Sequence, residues 1–202
     1  MPLVRKPATP DPPSPAASLA GVTSDERWAA ARAAVGRPDG AALLAGALSQ
    51  ESDARVREAI FTGLARIASA ESAAAVVPYL RSDDASLRTG AIDALRAMPQ
   101  AAGPHLPCLL ADPDADVRLL SCELARGLPE GDANRLLCDL LEVETEKNVC
   151  AAAVEVLAEI GRPEALPSLT RCATRFDGDP FIAFSIKVAI ERIVAPPSTR
   201  RE

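Results

Sequence analysis

A short motif recurs along this chain at intervals of about 30 residues, and each copy has the pattern of a helix start. An acidic residue is followed three positions later by an apolar residue, and in three copies an arginine comes next. The apolar positions are 56, 87, 117, 149 and 182, which gives steps of 31, 30, 32 and 33 residues. A fixed period of this length indicates stacked units, because no single unit can bury its apolar face alone.

Each unit has the pattern of two helices joined by a break. The acidic residue stands where a helix N-cap accepts a backbone hydrogen bond, and apolar residues follow on one face, as at Val56, Ile60 and Leu64. After a break with Gly or Pro, a second segment carries a Leu-Pro-x-Leu type of pattern, with proline at 78, 107 and 167. Proline is tolerated there in a first helical turn, and a kink is expected if the helix begins earlier.

Composition favours helices throughout. Hydrophobic residues make up 48% of the chain and aromatic residues only 3%, so the apolar content is mostly Ala, Leu, Val and Ile. Ala and Leu are strong helix formers. Counting back 30 residues from Val56 predicts an atypical first copy at Glu26 and Arg27, as terminal repeats are commonly atypical.

These features resemble the HEAT-repeat family, in particular its short-repeat branch named for phycobilisome lyases. The resemblance rests on the acidic cap, the Val-Arg pair, the Leu-Pro-x-Leu pattern and links such as 112–114, and it covers about residues 22–194. It implies an all-α, right-handed α-α superhelix of about five to six two-helix repeats, a HEAT-like solenoid whose second helices line a concave surface. The scaffold hosts many roles, so the resemblance alone selects no function.

The two ends of the chain differ from the repeats in composition. Residues 1–20 contain six prolines, and such a segment neither sustains helical hydrogen bonding nor has much to bury. We expect a disordered tail at 1–20, a repeat domain at 21–195 and a second disordered tail at 196–202.

The charge of the chain narrows its partners. A net charge of -6 and a pI near 5.0 argue against nucleic acid, which needs clustered Lys and Arg, and against an anionic membrane surface. No apolar stretch approaches the ~20 residues that span a bilayer, so we expect a cytoplasmic protein whose partner is another protein. Residues 112–147 hold ten acidic and four basic residues, which could attract a basic segment of that partner.

Catalytic and metal chemistry gain no support from the residues. The five cysteines form no Cys-x-x-Cys pair and suit small apolar helix fillers. His105 is the only histidine, whereas the resembling deoxyhypusine hydroxylase family needs several His-Glu pairs to hold iron. HEAT-like DNA glycosylases have a basic, aromatic concave face, and this acidic chain has one Trp and one Tyr. We therefore predict no enzyme activity, no metal and no cofactor.

The remaining interpretation is a non-enzymatic scaffold, adaptor or assembly factor that binds its partner on the concave face. On the second helices, the slot between the apolar positions is expected to point outward and to form a partner-binding stripe. The stripe consists of Tyr79, Cys108, Asp139 and Ser168, with His105, Arg135 and Arg171 nearby. Ordinary solvated positions are the alternative for these residues. The resemblance also implies an alternative function, a bilin (tetrapyrrole) lyase subunit that acts on a partner protein.

An arginine recurs at the fifth position of the motif, and we call this set the arginine ladder: Arg27, Arg57, Arg88 and Arg118. One arginine per repeat, beside the acidic caps, suits a structural link between neighbouring helix ends through charge-assisted hydrogen bonds. A ligand-binding ladder is the alternative. The ladder stops at Cys150 and Ala183, which predicts looser packing or different capping in the last two units.

The structural role of the ladder predicts that Arg88→Ala lowers the free energy of unfolding by roughly 1.5–3 kcal/mol, as for hydrogen bonds to charged groups. Thermal and urea denaturation followed by circular dichroism measure the change. An unchanged melting temperature would refute a structural role for Arg88.

Overall fold

The computed structural model describes residues 18–195, and within that range it contains helices and links but no β-strand. The helices are α1 (Ser24–Ala34), α2 (Gly40–Leu48), α3 (Ala54–Ile67), α4 (Ala70–Val76), α5 (Ala85–Arg96), α6 (Pro99–Ala102), α7 (Leu106–Leu109), α8 (Ala115–Leu124), α9 (Glu130–Val143), α10 (Lys147–Ile160), α11 (Leu166–Arg175) and α12 (Pro180–Val194). Short 3-10 segments lie at Val77–Arg81, Gly103–His105, Ala125–Gly127 and Pro163–Ala165.

The helices stack as two layers of a solenoid. The first helices of successive units, α1, α3, α5, α8, α10 and α12, each pack against the next. In the second layer, α2 packs on α4, α4 on α6, and α9 on α11. Within the described residues, α12 has no second helix after it. The prediction of an all-α solenoid of about five to six two-helix units is therefore confirmed.

One continuous apolar core runs between the two layers. The predicted anchors Val56, Val117, Val149 and Ile182 are at most 1% exposed, while Leu87 is only half-buried. Gly90 on α5 faces the Phe61 ring so closely that a Cβ there would lie 2.6 Å from it. The close approach of α3 and α5 at this point therefore requires glycine.

The predicted N-caps form in four of the units. The Asp53, Asp84, Asp114 and Asp179 carboxylates each accept a backbone N–H from the first turn of the helix that follows. Glu146 occupies the same position on α10 but makes no side-chain cap bond. In the first copy the cap is Thr23, which forms a reciprocal capping box with Glu26.

Proline lies in a first turn in three of the second helices, as the tolerated placement predicted, and each of these second helices is divided into an α-helical and a 3-10 segment. Pro78 lies in the first turn of a 3-10 segment that follows α4, and Pro107 lies in the first turn of α7. Pro167 is likewise in the first turn of α11. In contrast, α9 has no internal proline and runs unbroken for 14 residues. The missing proline N–H is tolerated in each case because a first-turn N–H has no partner within the helix.

The links between units are closed by buried carboxylates. The Glu51 side chain accepts the backbone N–H of Ser52 and of Asp53, at 2.9 and 2.8 Å. The Glu144 side chain accepts the N–H of Thr145 and of Glu146, both at 2.9 Å. Asp112 accepts the Asp114 N–H at 3.0 Å. These carboxylates are almost fully buried, with side-chain exposures of 6, 3 and 2% for Glu51, Glu144 and Asp112.

The arginine ladder ties each first helix to the link before it. Each of its four members donates a hydrogen bond to the backbone carbonyl six residues earlier in the chain. The pairs are Arg27 to Gly21, Arg57 to Glu51, Arg88 to Ser82 and Arg118 to Asp112, at 3.1, 2.7, 2.6 and 2.7 Å. Because the carbonyl lies in the link and the arginine in the helix, the contact sets the angle at which the chain enters each unit.

Two of these arginines also reach forward to the next link in a two-bond ion pair. Arg27 binds both carboxylate oxygens of Glu51 at 2.7 and 3.2 Å. Arg118 binds both oxygens of Glu144 at 2.6 and 3.0 Å. Arg57 reaches Asp84 instead, at 3.0 Å, because its next link has an uncharged Ser82 in the carboxylate position. These contacts support a structural role for the ladder.

The ladder ends at Cys150, and another residue takes over the same link. The Cys150 Sγ lies 3.8 Å from the Glu144 carbonyl, a weak contact. Arg175 at the end of α11 donates to that carbonyl at 2.7 Å and to the carbonyls of Leu141 and Glu142, at 2.8 and 2.7 Å. The different capping that was expected where the ladder stops is therefore found at this link, whose carbonyls are bound by an arginine of the second layer.

The predicted tails fall mostly outside the described residues. Residues 1–17 and 196–202 are not among them, and the disorder expected there stays a prediction. Ser18 and Leu19 are helical, and Leu19 packs against the core.

Glu144→Gln is expected to lower the free energy of unfolding by about 2–4 kcal/mol, because it leaves the Arg118 guanidinium without a buried counter-charge. Glu146→Gln is the matched control in the same link: Glu146 is exposed and caps nothing with its side chain, so a change within about 0.5 kcal/mol is expected. Equal losses in the two variants would contradict a special role for the buried carboxylate.

The ion pair of Arg118 and Glu144 also makes the stability difference between wild type and Glu144→Gln depend on pH. Burial alone would raise the pKa of Glu144, but Arg118 and the two link N–H groups hold that pKa below its ordinary value. The contribution of Glu144 to the free energy of unfolding is therefore complete above the unfolded-state pKa of about 4.3. It is lost as the pH falls through the folded-state pKa. Urea denaturation of wild type and Glu144→Gln should differ fully at pH 7 and converge in acid.

Candidate binding surfaces

The stripe predicted on the second helices does not form an evenly exposed row. Cys108 and Asp139 are exposed and His105 is half-buried. Ser168 is only 5% exposed, so its predicted outward position is wrong. Tyr79 is half-buried, and its ring packs edge-on against Phe61 with the centroids 5.9 Å apart. Burial raises the pKa of Tyr79, which marks this side chain as part of the core boundary.

Ser168 is buried because it belongs to a polar network between α9 and α11. Its hydroxyl donates to the Glu142 carboxylate at 2.6 Å, and Arg171 donates to both oxygens of the same carboxylate at 2.8 and 2.5 Å. These bonds lower the pKa of Glu142 to about 2, with Arg171 the larger cause. Arg171 and Ser168 therefore stabilise the pairing of two second helices, a role that the sequence pattern did not reveal.

The charged members of the stripe are neutralised locally. Arg135 is exposed and lies between Asp132 and Asp139, at 3.6 and 3.9 Å. Across 112–147, seven of the ten acidic residues form ion pairs: 112, 123, 130, 132, 139, 142 and 144. Asp114 caps α8. Most of the local acidic excess therefore serves the fold, which leaves less of it to attract a basic partner segment.

The cysteines are divided by exposure. Cys122, Cys150 and Cys172 are buried, as the filler prediction requires, while Cys138 is half-buried and Cys108 exposed. Burial raises the pKa of Cys122 to about 12, so this thiol stays protonated and inert. Cys108 therefore differs from the buried three in being open to solvent.

The first-helix layer carries grooves that the sequence reasoning missed. A groove of about 770 Å³ lies between α3 and α5, where the lining is mostly Ala, Gly and Thr around Phe61. A groove of about 390 Å³ lies between α1 and α3 beside Trp28. A third, of about 550 Å³, lies between α8, α10 and α12. Small residues on the outer side of the first helices leave these spaces open between neighbouring units.

The third groove is bordered by two exposed aromatic side chains. Phe181 and Phe184 are 66 and 67% exposed, and with Val188 they follow one face of α12 at steps of three and four. Ala151 and Ala152 on α10 form the opposite wall. A signal was present in the sequence, because 180–194 carries apolar residues on more than the one face that the core requires.

The described residues show no grouping of three or more His, Cys, Asp and Glu side chains suited to a metal ion. Between residues 18 and 195, every helix is too short or too polar to cross a membrane.

The polar network predicts a measurable change at Glu142. Arg171→Gln is expected to move the pKa of Glu142 from about 2 up toward its ordinary range, because the main group that stabilises the carboxylate is gone. NMR titration of the side-chain carboxyl carbon follows the change. Arg135→Gln, which leaves Glu142 untouched, is the control, and an unshifted Glu142 in the Arg171 variant would contradict the network.

Comparison with known proteins agrees with this architecture. Residues 104–181 match the family model for HEAT repeats. No curated protein matches the chain. Among solved structures, one from work on microtubule plus-end tracking by XMAP215, CLIP-170 and EB1 is similar, with a TM-score of 0.60 and 14% identity over 92% of each chain.

Two further structures are similar at low identity. The archaeal HEAT-like repeats protein from Thermococcus onnurineus NA1 has a TM-score of 0.50 and 17% identity, over 89% of this chain and 87% of that one. The complex of CpcE and CpcF of phycocyanin lyase from Nostoc sp. PCC7120 has a TM-score of 0.41 and 16% identity, over 96 and 100%. Such likeness concerns the fold alone. With its regular repeats and stacked two-helix units, the chain has the fold of HEAT-like repeat proteins, and its residues 104–181 match the HEAT-repeat family model.

Proposed function

We propose that this protein is a non-enzymatic scaffold that binds another protein on the surface of its solenoid. The observation that carries the proposal is the exposed pair Phe181 and Phe184 beside a groove with alanine walls. The chain has only six aromatic residues, and two of them lie in solvent on one turn of one helix. Exposed apolar side chains that cluster, rather than stand singly, are typical of an interaction surface.

The geometry of the groove suits apolar side chains of a partner. Phe181, Phe184 and Val188 form a ridge along α12, and Ala151 and Ala152 leave depth on the α10 side. A partner helix with apolar residues at steps of three and four can lie along such a groove. Aromatic side chains contribute large contact areas at little conformational cost, which is why they dominate binding energies at interfaces.

The two phenylalanines are not needed to hold α12 in place. The helix packs on the core through Ile182, Ile186 and Ile193, which are at most 5% exposed. The opposite face, with the phenylalanines, buries little. Substitution there is therefore expected to spare the fold, which separates binding from stability.

The second-helix stripe remains the other surface that this function could use. Cys108, Arg135, Asp139 and Arg171 are exposed there, whereas Ser168 and Tyr79 are committed to contacts within the protein. A scaffold can use either layer, so the two surfaces are best compared in one experiment.

Phe184→Glu is expected to weaken binding of the partner at least tenfold, as for the loss of an aromatic anchor of about 2 kcal/mol. The partner is identified by a tagged pull-down from the native host with mass spectrometry, and its affinity for each purified variant is then measured by calorimetry. Asp139→Lys, on the second-helix stripe, is the matched control, and circular dichroism checks that both variants keep the wild-type melting temperature.

Three outcomes would count against the proposal as stated. Unchanged affinity in the Phe184 variant with a loss in the Asp139 variant would move the interface to the second helices. Co-purification of a visible pigment or a pigment-carrying protein would favour the lyase alternative. Absence of any stoichiometric partner, in pull-downs that recover a positive control, would contradict a stable scaffold.

A further inference from the structure

A second groove, at the opposite end of the array, combines an aromatic ring with three arginines. It lies between α1 and α3, has a volume of about 390 Å³ and is lined by Trp28, Arg32, Arg55, Glu58 and Arg66 among others. The guanidinium carbons of Arg32 and Arg55 lie 4.6 and 4.7 Å from the Trp28 ring centroid. Trp28 is the only tryptophan in the chain.

Contact with the ring restricts how Arg32 and Arg55 can meet a ligand. A guanidinium whose face lies on an aromatic ring keeps its N–H edges free, and those edges match the two oxygens of a carboxylate. Arg55 donates to Asp25 at 2.7 Å, with both groups exposed. Within residues 18–195, Arg32 and Arg66 make no side-chain hydrogen bond or ion pair.

These arginines differ from those that hold the fold. Each ladder arginine donates to a link carbonyl, whereas Arg32, Arg55 and Arg66 bind no backbone group of the described chain. The groove places three arginines against one acidic lining residue, Glu58, in a protein whose net charge is -6. Since Asp25 pairs with Arg55, the positive charge that the fold leaves unused is that of Arg32 and Arg66, and it favours a ligand of opposite charge.

We propose that this groove binds an acidic segment of a protein partner, with two or more carboxylates next to an apolar side chain. The carboxylates accept from the N–H edges of Arg32 and Arg66, and the apolar side chain fills the space beside Trp28. This site is additional to the surface on which the proposed function rests. It lies in the first two units, while Phe181 and Phe184 lie on the last helix, so each site can fail without the other.

Trp28 gives a direct readout of the site. A short capped peptide rich in glutamate, with leucine between the carboxylates, is titrated into the full chain while the tryptophan emission is recorded. We expect a saturable change whose apparent Kd rises with salt, because the contacts lie at the surface. The same peptide with glutamine in place of glutamate is expected to give no saturable change.

Arg66→Gln is the decisive variant, because Arg66 lines the groove without stacking on Trp28 and its loss leaves the emission baseline in place. It is expected to weaken peptide binding about threefold to tenfold. Arg135→Gln is the matched control: Arg135 is an exposed arginine on the second-helix layer, flanked by two aspartates. Phe184→Glu is expected to bind the peptide like wild type.

The proposal is overturned by any of three results. These are an emission that does not saturate with the acidic peptide, an equal loss of affinity in the Arg66 and Arg135 variants, and the same change from inorganic phosphate at the same concentration. The last result would indicate a general anion site. Loss of peptide binding in Phe184→Glu as well, with wild-type melting, would mean that the two surfaces are not separate.

Discussion

The arginine bridge between helix and link is the contact on which the rest of the solenoid depends. Each short link leaves backbone carbonyl and N–H groups without a helical partner, and a buried polar group left unpaired costs about 1–3 kcal/mol. A ladder arginine takes a link carbonyl six residues back, and a carboxylate such as Glu51 or Glu144 takes the link N–H groups. Where arginine and carboxylate also bind each other, neighbouring units are joined as well. Since units contact only their neighbours, errors in this joint would add up along the array.

The exceptions show that the polar groups of each link are hydrogen-bonded even where the usual arginine or carboxylate is replaced. Ser82 stands where other links have a carboxylate, and its hydroxyl still accepts the Asp84 N–H at 3.2 Å. Asp112 lies in the link after Arg88, where the pattern of Arg27 and Arg118 would predict an ion pair with Arg88. Asp112 is paired instead with Arg81, which belongs to the second layer. Cys150 replaces a ladder arginine, and Arg175 supplies three hydrogen bonds from α11. In the last two cases the replacement comes from the second layer, which thereby takes part in setting the angle between units.

The sequence was sufficient for features that depend on the local backbone. The aspartate caps and the proline positions follow from which backbone N–H groups at a helix start lack a partner, and the period follows from the spacing of these helix starts. All three features are present in the structure. Ser168 and Phe184 show where that reasoning stops. Both lie beside regular apolar positions, and only the rotation of each helix against its neighbours decides that Ser168 faces Glu142 and that Phe184 faces solvent. Contacts between units, such as that of Arg55 with Trp28, depend on the same rotation and on residues about 30 positions apart.

The net charge of the chain was a poor guide to its binding surfaces, because it does not show which charges are already paired within the fold. Most carboxylates of 112–147 are held in caps, links and ion pairs, so they contribute to stability and little to the outer field. The three arginines beside Trp28 are few, but none of them serves a link, and Arg32 and Arg66 have no acidic partner within the described residues, so their charge is available to a ligand. In a repeat protein of this kind, the charges to count for binding are those left after each link and cap has been satisfied. By that count, the acidic chain has a basic groove at one end of the first-helix layer and an apolar groove at the other. Neither groove uses the residues that form the core between them.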